Sequence, residues 1–192
     1  IYLVDSGGQY HFGTTDVTRT ISLNNKDYKV KEAFTRVLQG HLNLTNFKLT
    51  KNTSGAILDK VARKKLKRMN LDYAHGTGHG VGYFLNVHEG PQAISKYNRV
   101  KIKPGMILSN EPGYYEKKKF GIRIENLIYA KKNNNKVVFK NLTLAPIDND
   151  LINFKMLNTS EKNYLFNYHM DTYAKISKFL NFNEKKWLLS LI

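Results

Sequence analysis

His75-Gly-Thr-Gly-His79-Gly-Val-Gly-Tyr-Phe-Leu-Asn-Val-His88-Glu-Gly-Pro91 is the segment from which the rest of the chain can be understood. Each glycine inside a helix costs about 1 kcal/mol relative to alanine, so the segment disfavours a helix. We predict an extended backbone from which the imidazoles project, because glycine lets a ligand or another backbone approach closely. A neutral imidazole is a common metal ligand and acid–base group, although a glycine–histidine run can also be an ordinary turn.

The composition indicates a folded globular protein. The chain has 192 residues, 41% of them hydrophobic, which is enough for a core in a single domain. The absence of cysteine excludes disulfides and thiolate metal sites. No apolar run approaches the roughly 20 residues of a transmembrane helix, and no signal peptide is visible. We therefore expect a cytoplasmic protein with no membrane partner.

The net charge of +16 allows two interpretations. It could mark a nucleic-acid or other anionic partner, or it could reflect lysine and asparagine spread over solvated faces. The basic run at residues 63–68 falls at the end of a predicted helix, where cations stabilise the helix dipole. The sequence contains no zinc finger, RNA-recognition motif or helix-turn-helix pattern. We expect no nucleic-acid partner.

Two β-rich segments near the start predict a hairpin that carries two aspartates. Residues 1–4 form the first arm, which ends at Asp5, and residues 10–20 form the second, which carries Asp16. The sequence Ser6-Gly-Gly8 is expected to interrupt the first arm.

Further along, two predicted strands deliver two glutamates. Residues 106–109 lead to Glu111, and residues 121–130 alternate so that Arg123 and Glu125 share one face. The second of these strands is expected to form a hairpin with the apolar run that begins at Val137.

Apolar residues at helical spacing predict the helices. They are residues 28–39, a segment capped by Thr53 or Ser54, a long helix from Thr159 and a short helix capped by Asn183. In the second, Ile57 is expected on the buried face. In the long helix, an apolar stripe is predicted to pack on the domain or on a second subunit. Its members are Phe166, Met170, Tyr173, Ile176 and Leu180.

Four carboxylates and one imidazole each interrupt or end a β-type segment. They are Asp5, Asp16, His79, Glu111 and Glu125. Each alone has an ordinary explanation, such as a turn, a cap, a solvated strand end or an ion pair between Glu125 and Arg123. Together they suit two divalent cations, because buried carboxylates are costly unless paired or bound to a cation. Oxygen ligands with one nitrogen favour Mn²⁺ first, with Co²⁺ or Zn²⁺ as alternatives.

Six motifs in register closely resemble the Xaa-Pro aminopeptidase (aminopeptidase P) family. They are Leu3-Val-Asp5-Ser-Gly-Gly-Gln-Tyr10, Gly13-Thr-Thr-Asp16-Val-Thr-Arg-Thr20, Gly76-Thr-Gly-His79-Gly-Val-Gly82, Asn86-Val-His88-Glu-Gly-Pro-Gln92, Ser109-Asn-Glu111-Pro-Gly-Tyr-Tyr115 and Gly121-Ile-Arg-Ile-Glu125-Asn126. Their order and spacing match along nearly the whole chain.

The resemblance implies an α+β pita-bread (creatinase/aminopeptidase) fold around a dinuclear centre, incomplete here at its N-terminal side. Residues 1–150 would be the truncated catalytic domain, and residues 151–192 the C-terminal helical extension of the long form. Family members carry further helices and a pocket histidine upstream. We therefore expect the chain to be one piece of a longer enzyme.

The resemblance also implies how the metal ligands divide. Asp5 would bind one ion, Asp16 and Glu125 would bridge both ions, and His79 and Glu111 would complete the second.

Four residues carry the implied catalytic roles. Glu111 would also take a proton from water, and His88 would stabilise the tetrahedral intermediate or shuttle a proton. His75 would bind substrate near the scissile bond, and Arg123 would orient the carboxylates.

The reaction implied is removal of the N-terminal residue of a peptide whose second residue is proline, by an enzyme that can form homodimers when full-length. Two alternatives stay open. A prolidase-like enzyme would cut Xaa-Pro dipeptides only. A truncated, non-catalytic remnant would keep the fold without the chemistry.

Overall fold

The structure is a computed structural model that describes residues 1–24, 27–84, 86–134 and 136–192; Leu85 of the glycine–histidine segment lies outside them. The strands are β1 (Tyr2–Tyr10), β2 (Gly13–Ile21), β3 (Gly78–His79), β4 (Ala93–Ile94), β5 (Ile107–Asn110), β6 (Gly113–Glu116), β7 (Phe120–Arg123), β8 (Asn126–Asn133) and β9 (Lys136–Asn141). The helices are α1 (Tyr28–Thr45), α2 (Gly55–Lys67), α3 (Thr159–Ile176) and α4 (Phe182–Ser190). In the described part of the chain, no helix is long and apolar enough to cross a membrane.

The strands form small antiparallel sheets. In the described residues, β1 pairs with β2, β3 with β4 and β6 with β7, while β5, β8 and β9 form a three-stranded sheet. The predicted hairpin between the strand ending near Ala130 and the run from Val137 is confirmed by the β8–β9 pair.

The first hairpin is confirmed, but the break expected at Ser6-Gly-Gly8 is wrong. Strand β1 runs without interruption and pairs with β2 from Tyr2–Ile21 to Tyr10–Gly13. The continuous ladder outweighs the weak strand propensity of glycine. Gly7 lies opposite Asp16, and Asp5 is two residues before Gly7, so both aspartates lie on one face of the hairpin.

The single strand predicted over residues 121–130 is two strands. Strand β7 pairs with β6 and strand β8 with β5, so the chain passes from one sheet to another at Ile124 and Glu125. The backbone N–H of Glu125 donates to Thr18 O at 3.1 Å, which ties this crossover to β2.

The helices pack the strands into two apolar clusters. Helix α1 is longer than predicted because Leu42 and Leu44 extend its buried face. Helix α2 begins after Ser54 as expected, but Ile57 is 40% exposed, so its predicted burial is wrong. The face of α2 turned inward carries Leu58 and Ala62, which pack with the strands of the three-stranded sheet.

Helix α3 starts at Thr159 as predicted, but its apolar stripe does not face the core. Phe166 and Met170 are 62% and 41% exposed. The buried side instead carries Tyr168 and His169, whose polar atoms bind the backbone of the segment before the helix. Packing of the stripe on a second subunit stays a prediction. Helix α4 is capped by Asn181 through a capping box with Glu184, so the predicted cap at Asn183 is wrong.

Candidate metal centre

The five predicted ligands lie around one cavity of about 350 Å³. Its lining includes Asp5 and Asp16 from the first hairpin, His79 from β3, and Glu111 and Glu125 from the ends of later strands. His88, which lies on the exposed part of the glycine–histidine segment, lines the same cavity. Residues far apart in sequence therefore converge on one place.

The donor atoms fall into three overlapping groups whose members lie within 4.8 Å of one another. The groups are Asp5 with Asp16 and Glu125, His79 with Glu111 and Glu125, and Asp16 with His79 and His88. Because Glu125 belongs to the first two groups and Asp16 and His79 each belong to two, the donors form one continuous surface. Its extent suits two neighbouring ions that share ligands.

Hydroxyl groups fix the two glutamates. Thr18 Oγ1 donates to Glu125 Oε2 at 2.6 Å, and Ser109 Oγ donates to Glu111 Oε1 at 2.9 Å. The same Ser109 oxygen accepts the backbone N–H of His79 at 2.9 Å. One serine thus sets the relative position of two of the donors.

Among the described residues of the histidine segment, the predicted extended backbone is a strand only at Gly78–His79, which pairs with β4, while Gly80 bridges to Leu108 of β5. Close approach of other backbone at the glycines is as expected. A Cβ at Gly78 would lie 2.0 Å from Ser109 O, and one at Gly80 would lie 2.1 Å from Glu89 O. Close backbone contact also holds Glu111, whose N–H donates to Thr77 O at 2.8 Å. Only a bare backbone fits here, and this closeness brings His79 beside Glu111.

The centre carries an excess of negative charge in a partly buried place. Burial, followed by the charges of Glu111, Asp16 and Asp5, raises the pKa of Glu125 to about 8. Burial also raises the pKa of Glu111, against the hydrogen bond from Ser109. Burial alone would lower the pKa of His79, but its hydrogen bond to Asp16 and the charge of Glu111 raise it. Crowded carboxylates with an imidazole are a donor set that fits two divalent cations.

A hydrogen-bond relay connects the centre to His75. Arg123 Nη2 pairs with the carboxylate of Asp5, while Nε donates to Thr18 Oγ1 at 3.0 Å. Arg123 Nη1 donates to the hydroxyl of Tyr115 at 2.9 Å, which lies 2.9 Å from His75 Nε2. His75 therefore lies beside the cavity and reaches the ligands through Tyr115 and Arg123.

Burial favours the neutral form of the His75 imidazole. Burial, together with the charges of Arg123 and Arg63, lowers its pKa despite the backbone hydrogen bond to Gly76. Its Nδ1 lies 2.6 Å from Gly76 O, so this nitrogen carries the proton and Nε2 accepts from Tyr115.

A buried ion pair on α2 supports the segment that carries His75. Arg63 Nε donates to both oxygens of Asp59 at 2.9 Å, and Nη2 donates to His75 O at 2.6 Å. Asp59 also accepts from Thr77 Oγ1 at 2.7 Å. The helix dipole, which the sequence indicates as the reason for the run at residues 63–68, is therefore not the whole explanation for Arg63, because this side chain is buried and binds the loop.

Several residues that contact the candidate ligands are not among those predicted from the sequence. Thr18 and Ser109 could have been found, because each lies two residues from a ligand and so shares its face of a strand. The Asp59–Arg63 pair could also have been found, because opposite charges four residues apart lie on one face of a helix. The contacts of Arg63 and Tyr115 with His75 gave no signal, since they join residues 12 and 40 positions apart.

Antiparallel strands and helices that bring carboxylates and imidazoles to one cavity define a candidate metal-dependent hydrolase. The sequence profile of metallopeptidase family M24 matches residues 1–132, and that of the C-terminal region of peptidase M24 matches residues 136–190. The chain belongs to metallopeptidase family M24.

Individual relatives agree with this family. A probable Xaa-Pro aminopeptidase P from Laccaria bicolor is 45% identical over 201 residues, which cover 98% of this chain and 31% of that protein. Aminopeptidase P2 from Arabidopsis thaliana is 45% identical over 98% of this chain and 28% of its own length. The chain thus spans about a third of the relatives it matches.

Solved structures show the same fold. The X-prolyl aminopeptidase from Caenorhabditis elegans, described as a cytosolic enzyme with a di-nuclear active site, has a TM-score of 0.93 and 39% identity over 98% of this chain and 32% of that one. Prolidase from Pyrococcus furiosus has a TM-score of 0.66 and 32% identity over 73% of this chain and 40% of that one. The predicted pita-bread α+β fold and the resemblance to Xaa-Pro aminopeptidases are confirmed. The division at residue 150 stays a prediction.

Proposed function

We propose that the chain carries the metal centre of an Xaa-Pro aminopeptidase, which hydrolyses the first peptide bond of a peptide whose second residue is proline. The observation that carries this proposal is the convergence of Asp5, Asp16, His79, Glu111 and Glu125 on one cavity. The similarity to aminopeptidases P over nearly the whole chain supports the substrate class.

Two divalent ions would be held by these residues, with Mn²⁺ first and Co²⁺ or Zn²⁺ as alternatives. Asp5 would serve one ion, His79 and Glu111 the other, and Asp16 and Glu125 both. When bound, the ions supply an acidified water and electrostatic stabilisation of the negative charge that develops on the scissile carbonyl.

The chain's own groups orient and move protons around that reaction. The Glu111 carboxylate, fixed by Ser109, would accept the proton of the attacking water. His88 at the open side of the cavity would hydrogen-bond to the oxygen that becomes negative or pass a proton onward. Neutral His75 would bind the substrate near the scissile bond, and Arg123 would hold Asp5 in place.

Metal binding tests the centre directly. We expect titration of the metal-free chain with Mn²⁺, followed by calorimetry, to give two ions per chain. Asp16→Asn should lose at least one of them, whereas Asp171→Asn on the exposed face of α3 should keep both. A folded chain that binds no Mn²⁺, Co²⁺ or Zn²⁺ would favour the non-catalytic remnant.

A pair of substrates separates the aminopeptidase from the prolidase, which structural neighbours keep as the second candidate. An Xaa-Pro dipeptide and an Xaa-Pro-Yaa tripeptide are compared with the metal-loaded enzyme. We expect the tripeptide to be cleaved, and cleavage of the dipeptide alone would reverse the assignment.

Two further properties belong to this proposal. The cytosolic description of the Caenorhabditis elegans enzyme supports a cytoplasmic location for this protein. Homodimer formation by the full-length enzyme stays a prediction, to be measured by analytical ultracentrifugation.

A further inference from the structure

A second cavity, of about 760 Å³, has His75 in its lining and contains none of the five candidate metal ligands. One wall is the basic side of α2, with Lys60, Lys64, Lys67 and the following Arg68, and Lys96 also lines it. We call this cavity the basic groove.

The cations of the basic groove converge from separate elements. Lys60, Lys64 and Lys67 are four and three residues apart, so they share one face of α2. The helix dipole accounts for cations at the end of α2, but it does not account for Lys96, which follows β4 and lines the same groove.

Carboxylates do not neutralise the groove. Among the described residues that line it, the acidic ones are Asp59 and Asp72, and Arg63 engages both. Asp72 also lies 3.7 Å from Lys67. Six cationic side chains against these two carboxylates leave the groove with a net positive charge. A positive cleft concentrates ligands of the opposite sign, so an anion is the ligand that this groove favours.

His75 connects the basic groove with the metal centre through side-chain contacts. His75 and Gly76 line the groove, and the His75 ring reaches Asp5 through Tyr115 and Arg123. Its floor includes Tyr73, whose ring centre lies 3.8 Å from the guanidinium carbon of Arg63. Tyr97, 78% exposed, adds an aromatic surface at its edge.

We propose that the basic groove binds acidic residues of the peptide substrate on the C-terminal side of the scissile bond. This inference rests on the proposed function and extends it to a substrate class. The amino terminus of a peptide is a cation, so the positive groove repels it. The C-terminal carboxylate and acidic side chains experience the reverse, and this sets the direction of the bound peptide. A second copy of the chain would bring the same cations to this surface, which disfavours self-association here.

Binding of two peptides in EDTA tests the inference without hydrolysis. The peptides are Ala-Pro-Asp-Glu-Asp-Glu and Ala-Pro-Asn-Gln-Asn-Gln, each with a C-terminal fluorophore, and affinity is measured by fluorescence anisotropy at low salt. We expect the acidic peptide to bind at least about fivefold more tightly, with the preference declining as salt is added. The double variant Lys64→Ser, Lys67→Ser should reduce the preference to less than about twofold. The matched control Lys131→Ser, Lys132→Ser on β8 loses the same charge elsewhere and should keep the preference.

Three results would overturn the inference: equal affinities for the two peptides, the same loss of preference in the control variant, or stronger binding of a single-stranded DNA hexamer that the groove variant abolishes. Hydrolysis of both peptides by the Mn²⁺-loaded enzyme is measured in parallel. Absent hydrolysis with an intact binding preference would count against the aminopeptidase, whereas hydrolysis with equal affinities would count against the groove. Circular dichroism confirms that the variants fold.

Discussion

Two clusters of buried polar groups lie against β2, on opposite faces of the strand. On one face, the guanidinium of Arg19 donates to main-chain oxygens of Thr18, Glu125, Ala145 and Pro146. It also donates to Asn126 Oδ1 at 2.7 Å. Groups of the protein thus accept hydrogen bonds from all the N–H groups of this buried guanidinium. The cluster joins the first hairpin to the segment before α3.

On the other face lies the metal centre, where the balance is reversed. Four carboxylates face one another, and Arg123 and His79 are the cationic or titratable groups that contact them in the described structure. Because negative charge is in excess here, burial and the neighbouring carboxylates raise the pKa of Glu125 to about 8. The polar groups on one face of β2 therefore hydrogen-bond to one another and stabilise the fold. The carboxylates on the other face need cations to balance their charge. Four predictions test this contrast.

The largest effect is expected at Arg19. Arg19→Met leaves several buried carbonyl oxygens without donors. Each unsatisfied group costs about 1–3 kcal/mol of folding stability. The free energy of unfolding should fall by at least about 3 kcal/mol, as measured by urea denaturation. Arg99→Met, at an exposed position, is the control and should change stability little. A loss of less than about 1 kcal/mol at Arg19 would show that the first face is not structural.

The surroundings of Arg19 should also make the fold sensitive to acid. Burial, and then the charge of Arg19, lowers the pKa of His169 to about 4, and its Nε2 accepts the Ile147 N–H at 3.1 Å. The unfolded imidazole takes up a proton near pH 6.5, so stability is lost as the pH falls from 6.5 towards 4, by about 3 kcal/mol in all.

Urea denaturation across this pH range measures the effect of His169. His169→Gln keeps an acceptor for Ile147 but has no proton to gain, so its stability should fall less steeply with acid. Equal slopes in the two proteins would contradict the prediction.

At the metal centre, a substitution is expected to raise the stability of the metal-free chain rather than lower it. Glu125→Gln should stabilise the metal-free chain at pH 8, because wild-type Glu125 ionises near pH 4.5 when unfolded and near 8 when folded. The folded state then loses stability as the pH rises between these values. The same change should weaken Mn²⁺ binding at least about 100-fold, or 2.7 kcal/mol.

Melting in EDTA and calorimetry with Mn²⁺ measure the two effects of Glu125→Gln separately. The control for both measurements is Asp171→Asn, at an exposed position. Glu184→Gln would not serve, because Glu184 belongs to the capping box of α4. Destabilisation of the metal-free Glu125→Gln protein would show that Glu125 is structural.

The smallest effect is expected at Ser109, which contacts both Glu111 and His79. Ser109→Ala removes one hydrogen bond to each, so the weaker-bound Mn²⁺ should lose about tenfold in affinity. Stability of the metal-free chain should change by less than about 1 kcal/mol, because Glu111 stays partly solvated. An unchanged Mn²⁺ isotherm would remove Ser109 from the centre.

The sequence pointed to the five candidate ligands, which the structure brings to one cavity, more clearly than to the residues that contact them. The pattern indicates these five residues because each is polar and lies at the end or in the middle of an apolar segment. They are Asp5, Asp16, His79, Glu111 and Glu125. The contacts of Tyr115 and Arg63 with His75 could not be predicted, since they depend on which loops meet in three dimensions. Two predictions were wrong for a related reason, namely the break at Ser6-Gly-Gly8 and the packing of the Phe166 stripe on the domain. Local propensity does not reveal a partner strand, and periodicity does not reveal which face tertiary contacts bury.

Glu125 lies where the chain passes from one sheet to another, and its side chain and backbone both bind Thr18, 107 residues earlier. The centre therefore cannot assemble from any local piece of the chain. A half-folded molecule would offer scattered carboxylates of low affinity, so an ion that binds tightly selects the finished tertiary structure and adds its binding free energy to it. Availability of the ion in the cell should consequently influence how much of this protein survives proteolysis.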